Sequence, residues 1–346
     1  MYKRWWKVLG AVLVLYTIIA GIAIPVGPGI KSMSYESATA GASAQFHITG
    51  YNTHFREGRE SLKTFLRIKD KYVCSSEVNV TTEDHMSATF AIPAEASGQY
   101  FRLIINNDKD GTFAYKDSIM IKPATTAAAG EMADGFYCEP EVNKNDPSYF
   151  SFPYRIILYE TIRNLYFHVP MWFTMTFLLL ISFITSIGFL RNFNHTYDIV
   201  ASQCASIAVL FGLLGFATGA WWGNFTWGEL DKWLIQDAKV LGAIIGILMY
   251  LAYFILRGSL DDEEKRARIS AIYNIFAFSM FIVFIYVMPR MTATLHPGSG
   301  GNPGFNIYDV SSHMRLVFYP AVLGWILVGL WFSSVRIRMK LLEKYI

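Results

Sequence analysis

The stretch PMWFTMTFLLLISFITSIGFL, residues 170–190, decides the fold class because it runs for 21 residues without a charged side chain. An α-helix needs about 20 predominantly apolar residues to cross a bilayer. Five further runs approach this length, at about residues 8–26, 200–220, 240–256, 269–289 and 316–333. The sequence therefore predicts a mainly α-helical protein whose core is a six-helix transmembrane bundle.

The composition agrees with a membrane protein, since 53% of the residues are hydrophobic and only 16% are charged. A formal net charge of +3 gives no reason to expect a nucleic-acid partner. The sequence contains no phosphate-binding loop, no HExxH motif and no recognisable nucleophile–base pair. We therefore expect a binding protein, not an enzyme.

The distribution of lysine and arginine predicts the orientation in the membrane. The first run follows MYKRWWK and is interpreted as a retained anchor, because its apolar core exceeds a typical signal peptide's and no A-x-A site closes it. Both termini and the connections after spans two and four are expected in the cytoplasm. The cations that place them there are Lys3, Arg4, Lys7, Arg191, Arg257, Lys265, Arg266, Arg268, Arg336, Arg338, Lys340 and Lys344. The predicted location is the bacterial inner membrane, with residues 27–155 in the periplasm.

The exported segment alternates apolar and polar residues with period two, which is typical of half-buried strands. The clearest runs are SAQFHITGY (43–51), KTFLRI (63–68), SATFAIP (87–93), QYFRLIINN (99–107) and SIMIKP (118–123). They predict a small all-β, sandwich-like domain of about six antiparallel strands. TTAAAGEMADG (125–135) is interpreted as a flexible strap. The predicted organisation is a first transmembrane helix (1–26), the periplasmic insert with its strap (27–155) and a five-helix membrane domain (156–346).

The three cysteines leave one question open. Cys74 and Cys138 lie in the exported segment, where they either pair in an oxidising compartment or remain two thiols. Cys204 lies in an apolar run. Without a CxxC or CxxCH motif, neither a zinc ribbon nor covalent haem attachment is indicated.

Three segments meet at the predicted outer face. LYFHVPMWF (165–173) places His168 just before the second span, with Pro170 at a natural helix start. TGAWWGNFTWGELDKWLIQD (218–237) connects spans three and four, and a Gly/Pro-rich loop after span five contains His296. The tryptophans of the middle segment are Trp221, Trp222, Trp227 and Trp233.

These residue types suit a large planar ligand that contains iron. Tryptophan rings bury the faces of such a ligand, and neutral imidazole is a natural axial ligand of iron. Arg163, Arg290 and Arg315 are available for carboxylate groups of the ligand. The alternative is that the tryptophans form an ordinary interfacial belt and the histidines are polar boundary residues.

The chain resembles the CcmC family of haem-handling membrane proteins of cytochrome c maturation. The resemblance covers the first span and residues 155–346, including ETIRNLYFHVPMWF, GLLGFATGAWWGNFTWG, RGSLDDEEKRARISAIYNIFAF and LHPGSGGNPGF. The family's tryptophan-rich motif approximates WGTWWxWD. Here Trp227 and Gly228 begin it, while Trp233 and Asp237 follow with extra residues between them. The insert between spans one and two is a second departure, either a docking or covering device or a lineage-specific addition.

The resemblance implies a site and partners. His168 and His296 match the two external histidines that bind haem iron axially, haem b is bound transiently, and the tryptophan-rich segment lies under it. The implied cofactor-binding residues are His168, His296, Trp221, Trp222, Trp227, Trp233, Asp237, Arg290 and Arg315. The implied partners are haem, a periplasmic haem chaperone, a small membrane subunit, an ABC-type complex and membrane lipid.

Two other functions remain open from the sequence. A membrane-bound haem or quinone oxidoreductase subunit would favour histidine pairs on facing helices inside the bundle, and the predicted apolar runs contain no histidine. A ligand-binding or sensory periplasmic module on a degenerate haem-handling scaffold would explain the altered tryptophan motif.

Overall fold

The computed structural model describes residues 4–123, 137–139, 147–292, 294–296 and 310–343. The chain divides into two compact units, one formed by Met1–Ala23 with Thr161–Ile346 and the other by Ile24–Glu160. The first is helical and the second is built from β-strands. The strap predicted at 125–135 and the Gly/Pro-rich sequence that follows His296 lie outside the described residues.

Within the described residues, the helical unit contains six helices or helical stretches long and apolar enough to cross a membrane, which confirms the predicted fold class. Its α-helices are α1 (Trp5–Ala23), α2 (Leu165–Asn192), α3 (His195–Trp227), α4 (Leu230–Trp233), α5 (Ala238–Gly258), α6 (Glu263–Ile282), α7 (Met288–Met291) and α8 (Ser312–Glu343). A 3₁₀ segment, Tyr159–Asn164, leads into α2, and a π-helical turn, Val283–Val287, joins α6 to α7. The short helices α4 and α7 lie at the ends of spans.

Two helix ends differ from the sequence prediction. The prediction that α2 starts at Pro170 is wrong: the helix begins at Leu165, and Pro170 lies inside it. Pro170 is the sixth residue of the helix, beyond the first four amides that lack an intrahelical acceptor, so the helix continues through the proline with one backbone hydrogen bond fewer. Helix α3 continues through Trp227 and α4 covers Leu230–Trp233, so most of the segment expected as a connection is helical.

Buried polar groups join three spans. The Asn274 side-chain amide on α6 donates hydrogen bonds to the hydroxyls of Ser182 (2.7 Å) and Ser186 (2.8 Å) on α2. The Ser182 hydroxyl donates in turn to the carbonyl of Ala201 on α3 at 2.7 Å. In an apolar environment, such bonds satisfy groups that would otherwise be costly to bury. They fix α2, α3 and α6 relative to one another.

The β unit is a sandwich of two antiparallel sheets. Its strands are β1 (Gly29–Tyr35), β2 (Ser43–Tyr51), β3 (Lys63–Ile68), β4 (Lys71–Cys74), β5 (Glu77–Val80), β6 (His85–Ala91), β7 (Tyr100–Asn107), β8 (Gly111–Ala114) and β9 (Ile119–Met120). One sheet has the order β1-β2-β6-β5, and the other has β4-β3-β7-β8 with β9 also on β7. Phe46 and Phe101, one from each sheet, meet in the core with ring centroids 5.5 Å apart.

The strand predictions succeeded where alternation is long. SAQFHITGY and KTFLRI coincide with β2 and β3. The sequence missed β1, β4, β5 and β8, so the described strands exceed the expected six. The strands β4, β5 and β8 have only four residues each, too few to show a period.

The cysteine question is answered by a disulfide between Cys74 and Cys138, whose Cα atoms lie 5.9 Å apart. The Cys138 amide also donates to the Tyr72 carbonyl at 3.0 Å. The bond therefore ties the described segment 137–139 to strand β4.

Candidate functional site

His168 is the fourth residue of α2, and its ring is held by α3. Nδ1 lies 2.9 Å from the Gly215 carbonyl oxygen and 3.3 Å from the Thr218 hydroxyl. Because a carbonyl oxygen only accepts, Nδ1 carries the hydrogen and donates it. The Nε2 atom then has a free lone pair, which is the state that a metal ligand requires.

The close approach of His168 to α3 depends on a glycine. A Cβ atom at Gly219 would lie 2.5 Å from Cε1 and 3.0 Å from Nδ1 of the His168 ring. Carbon atoms do not approach so closely without displacement. Gly219 lies one helical turn after Gly215, whose carbonyl accepts the His168 hydrogen bond, and its missing side chain leaves space for the imidazole.

His296 is oriented in the same way, but by a carboxylate. Its Nδ1 lies 3.0 Å from Oδ1 of Asp237, and the Asp237 side chain is fully buried while 20% of the His296 side chain is exposed. An ionised carboxylate only accepts hydrogen bonds, so Nδ1 again donates and Nε2 keeps its lone pair. A carboxylate behind a ligand imidazole also makes the ring a stronger donor to a metal.

Asp237 is bound from several directions. Its carboxylate caps α5 by accepting the amides of Lys239 (3.0 Å) and Val240 (3.2 Å). It also accepts the Thr294 hydroxyl at 2.6 Å and the Leu295 amide at 2.7 Å. One side chain thus anchors the start of α5 and the segment that contains His296.

The surroundings of Asp237 favour its charged form. Burial opposes ionisation, but the hydrogen bonds that the carboxylate accepts from the His296 ring, the Thr294 hydroxyl and the Leu295 amide outweigh it. The pKa of the Asp237 carboxyl is therefore held well below its usual range. The hydrogen bonds of this network stabilise the negative charge of the carboxylate.

Two tryptophans pack against His296, and a third packs against one of them. The ring centroid of Trp227 lies 4.8 Å from that of His296, 5.0 Å from that of Trp222 and 5.5 Å from that of Trp233. The Trp233 ring is buried against Gly223, and its indole N–H donates to the Gly228 carbonyl at 3.2 Å. Trp233 is separated from Trp227 along the sequence, but α4 brings its ring into contact with the end of α3.

The remaining predicted residues lie elsewhere. The Trp221 side chain is 84% exposed and is not part of this cluster. Arg163 donates to the Gly21 carbonyl at 2.7 Å. Arg290 lies in α7 and Arg315 in the first turns of α8, and neither arginine is among the described contacts of the two histidine rings.

The two imidazoles share one end of the helical unit. Gly219 contacts His168, and Trp222 and Trp227 on the next turns of α3 contact His296. The structure therefore places two imidazoles, each with Nδ1 hydrogen-bonded to the protein, at one end of a membrane-spanning helical bundle.

Sequence reasoning missed the groups that orient these rings. Gly215 and Thr218 lie in apolar or tryptophan-rich sequence that gives no sign of a polar role, and the same holds for Thr294. The sequence did hold one signal, because Asp237 stands immediately before an apolar helix, the position of an N-cap.

Comparison with known proteins gives the family. A family model described as CcmC, heme exporter protein C, matches residues 148–346, more than half of the chain. The chain therefore belongs to the CcmC family. The match excludes helix α1 and most of the β unit.

Individual relatives agree. Heme exporter protein C of Bradyrhizobium diazoefficiens is 30% identical over 33% of this chain and 43% of its own length. Heme exporter protein C of Paracoccus denitrificans is 23% identical over 52% of this chain and 73% of its own length. Cytochrome c biogenesis protein CcsA of Prochlorococcus marinus strain MIT 9515 is 37% identical over 25% of this chain and 27% of its own length. For the first and third, the chain covers less than half of the relative.

Proposed function

We propose that this protein binds haem b transiently between His168 and His296 and presents it to a periplasmic haem chaperone during cytochrome c maturation. The observation that supports this most is that the two imidazole rings have the same hydrogen-bonding arrangement. Each gives its Nδ1 hydrogen to a protein acceptor, so each has Nε2 left for iron.

The described residues fit an iron porphyrin. Two neutral imidazoles suit its axial positions, and the indoles of Trp222 and Trp227 provide aromatic surface beside His296. Haem would be the cargo, and His168 and His296 would hold it through its iron. The protein's part is to orient the imidazoles and to provide an apolar site.

Delivery, rather than permanent retention, is inferred from the family. Relatives carry the names heme exporter protein C and cytochrome c biogenesis protein. By the same inference the partners are a haem chaperone, a small membrane subunit and an ABC-type complex, and the protein has no catalytic turnover. Arg290 and Arg315, at that end of the bundle, are proposed to serve the haem carboxylates.

The proposed orientation places both termini in the cytoplasm and the β unit in the periplasm of a bacterial inner membrane. The charge distribution supports it, and so does the disulfide, since such bonds persist in oxidising compartments.

The disulfide gives a prediction about both location and stability. Protein alkylated in intact cells should keep Cys74 and Cys138 unmodified until a reductant is added, as seen by mobility on a non-reducing gel. The bond closes a sequence separation of 64 residues, so Cys74→Ser/Cys138→Ser should destabilise the β unit by roughly 4 kcal/mol. Limited proteolysis should show cleavage confined to residues 24–160. Thiols that react fully without reductant would contradict an exported β unit.

Gly219 gives a prediction about the ligand geometry. In Gly219→Ala, the new methyl group displaces the His168 ring, so haem per purified protein should fall on the order of tenfold, as when groups that orient a ligand are lost. The measurement is the haemochrome absorbance divided by protein concentration. Gly258→Ala is the matched control, because a Cβ there meets nothing within 4 Å. Equal haem in both variants would mean that the position of His168 is immaterial.

The maturation role is tested in cells. Deleting the gene should remove covalently bound c-type haem from membranes while non-covalent b-type haem remains. The intact gene should restore it, and a His168→Ala/His296→Ala copy should not. Normal c-type cytochromes after deletion would overturn the role in maturation.

A further inference from the structure

A cavity of about 580 Å³ opens at the end of the bundle opposite to the two histidines. It lies between α3, α5, α6 and α8. Asp198, on its wall, precedes Trp222 by 24 residues along α3, a separation of about 36 Å at 1.5 Å per residue. The cavity is therefore separate from the candidate haem site.

Four cationic side chains and three carboxylates line this cavity; the cations are Arg257, Arg266, Arg336 and Lys340, and the carboxylates are those of Asp198, Glu263 and Glu343. Two of the cations are neutralised locally. Arg257 binds both carboxylate oxygens of Asp198, with 2.7 Å between Nη1 and Oδ1, and Lys340 binds Glu343 at 2.7 Å. The Arg257–Asp198 pair is largely buried and gives the cavity a fixed polar wall.

The other two cations retain binding capacity. Within the part of the chain that the structure describes, neither Arg266 nor Arg336 has a carboxylate at ion-pair distance. The Arg336 Nε donates to the Gln203 side-chain oxygen at 3.0 Å, which orients the guanidinium and leaves its terminal nitrogens available. Guanidinium groups with free donors match the paired oxygens of a phosphate.

The location of the cavity indicates which kind of molecule would supply the phosphate. The cavity lies at the ends of four membrane-spanning helices, where lipid headgroups begin, and Phe254 adds an apolar wall. Basic pockets between transmembrane helices bind anionic headgroups. We infer that Arg266 and Arg336 form a site for the phosphodiester headgroup of an anionic phospholipid, independent of the haem site.

Native mass spectrometry of the full chain in detergent tests this inference. The protein is incubated with phosphatidylglycerol, with phosphatidylcholine or with inorganic phosphate, and retained adducts are counted. Phosphatidylglycerol should be retained over phosphatidylcholine, and Arg266→Gln/Arg336→Gln should lower its affinity by roughly tenfold for each guanidinium lost. Arg336→Lys should lose part of the affinity, because a single ammonium cannot replace the oriented fork.

Arg268→Gln/Arg338→Gln is the matched control, since it removes the same charge from the same two helices without touching the cavity wall. Helical circular dichroism and monodispersity verify that each variant is folded. Equal loss in both double variants, or no preference for phosphatidylglycerol, overturns the inference and favours an acidic partner segment as occupant. Displacement by millimolar inorganic phosphate overturns the assignment to lipid.

Discussion

Protein with His168→Ala or His296→Ala is expected to be purified without the haem that the wild-type protein retains. Each ring has its Nε2 available because Nδ1 is engaged, by the Gly215 carbonyl in one case and by Asp237 in the other. Loss of a group that merely orients a ligand costs about 10- to 100-fold in metal affinity. Loss of the ligand itself should exceed that range, which the visible spectrum and a haemin titration measure.

The control for this prediction is His47→Ala, since His47 is an exposed residue of β2 in the other unit. Its haem content should equal that of the wild type. Haem retained at wild-type level in both His168→Ala and His296→Ala would contradict the proposed site. It would instead favour a permanently bound cofactor elsewhere in the bundle.

Asp237→Ala is expected to give the second large effect. The substitution removes the acceptor of the His296 ring, the Thr294 hydroxyl and the Leu295 amide, and it also removes the cap of α5. Haem affinity should fall by about 10- to 100-fold. Separately, loss of the α5 cap should lower the free energy of unfolding by ~1 kcal/mol. A haemin titration and a denaturation curve measure the two effects separately.

Asp237→Asn separates charge from geometry. An amide oxygen can still accept the His296 hydrogen, so haem should remain bound, but the ring loses its anionic partner and becomes a weaker donor to iron. The ferric state should be less stabilised, and the reduction potential of the bound haem should rise. Asp231→Asn is the matched control, because Asp231 is exposed on α4. A potential that shifts equally in both variants would show that Asp237 acts only through overall charge.

The membrane part of the fold was predictable because apolar length is a strong local signal. The six spans, and the pairing of His168 with His296 as candidates at one face, followed from composition, charge distribution and resemblance. The secondary structure of the tryptophan segment was harder to predict, because the glycines and the asparagine in TGAWWGNFTW suggest a non-helical connection between two spans. Packing decides otherwise: Gly219 and Gly223 lie against His168 and Trp233, so these glycines serve close contacts within a helix.

The role of Asp237 could not be derived from its place in the chain. Its partners come from α5 and from the segment 294–296, more than fifty residues away, and only the tertiary structure brings them together. The altered spacing of the tryptophan motif had suggested a disrupted site. The additional residues form helix α4, which places the Trp233 ring in contact with the Trp227 ring.

The central claim is that one iron is bound by two imidazoles from distant parts of the chain. The most direct measurement is low-temperature electron paramagnetic resonance with hyperfine spectroscopy on the ferric haem complex, with all seven histidines labelled with ¹⁵N at Nε2. The account predicts a low-spin signal with two strongly coupled histidine nitrogens in the wild type, and one at most in each single alanine variant. A wild-type signal with fewer than two coupled histidine nitrogens, or with two that survive either substitution, would contradict it.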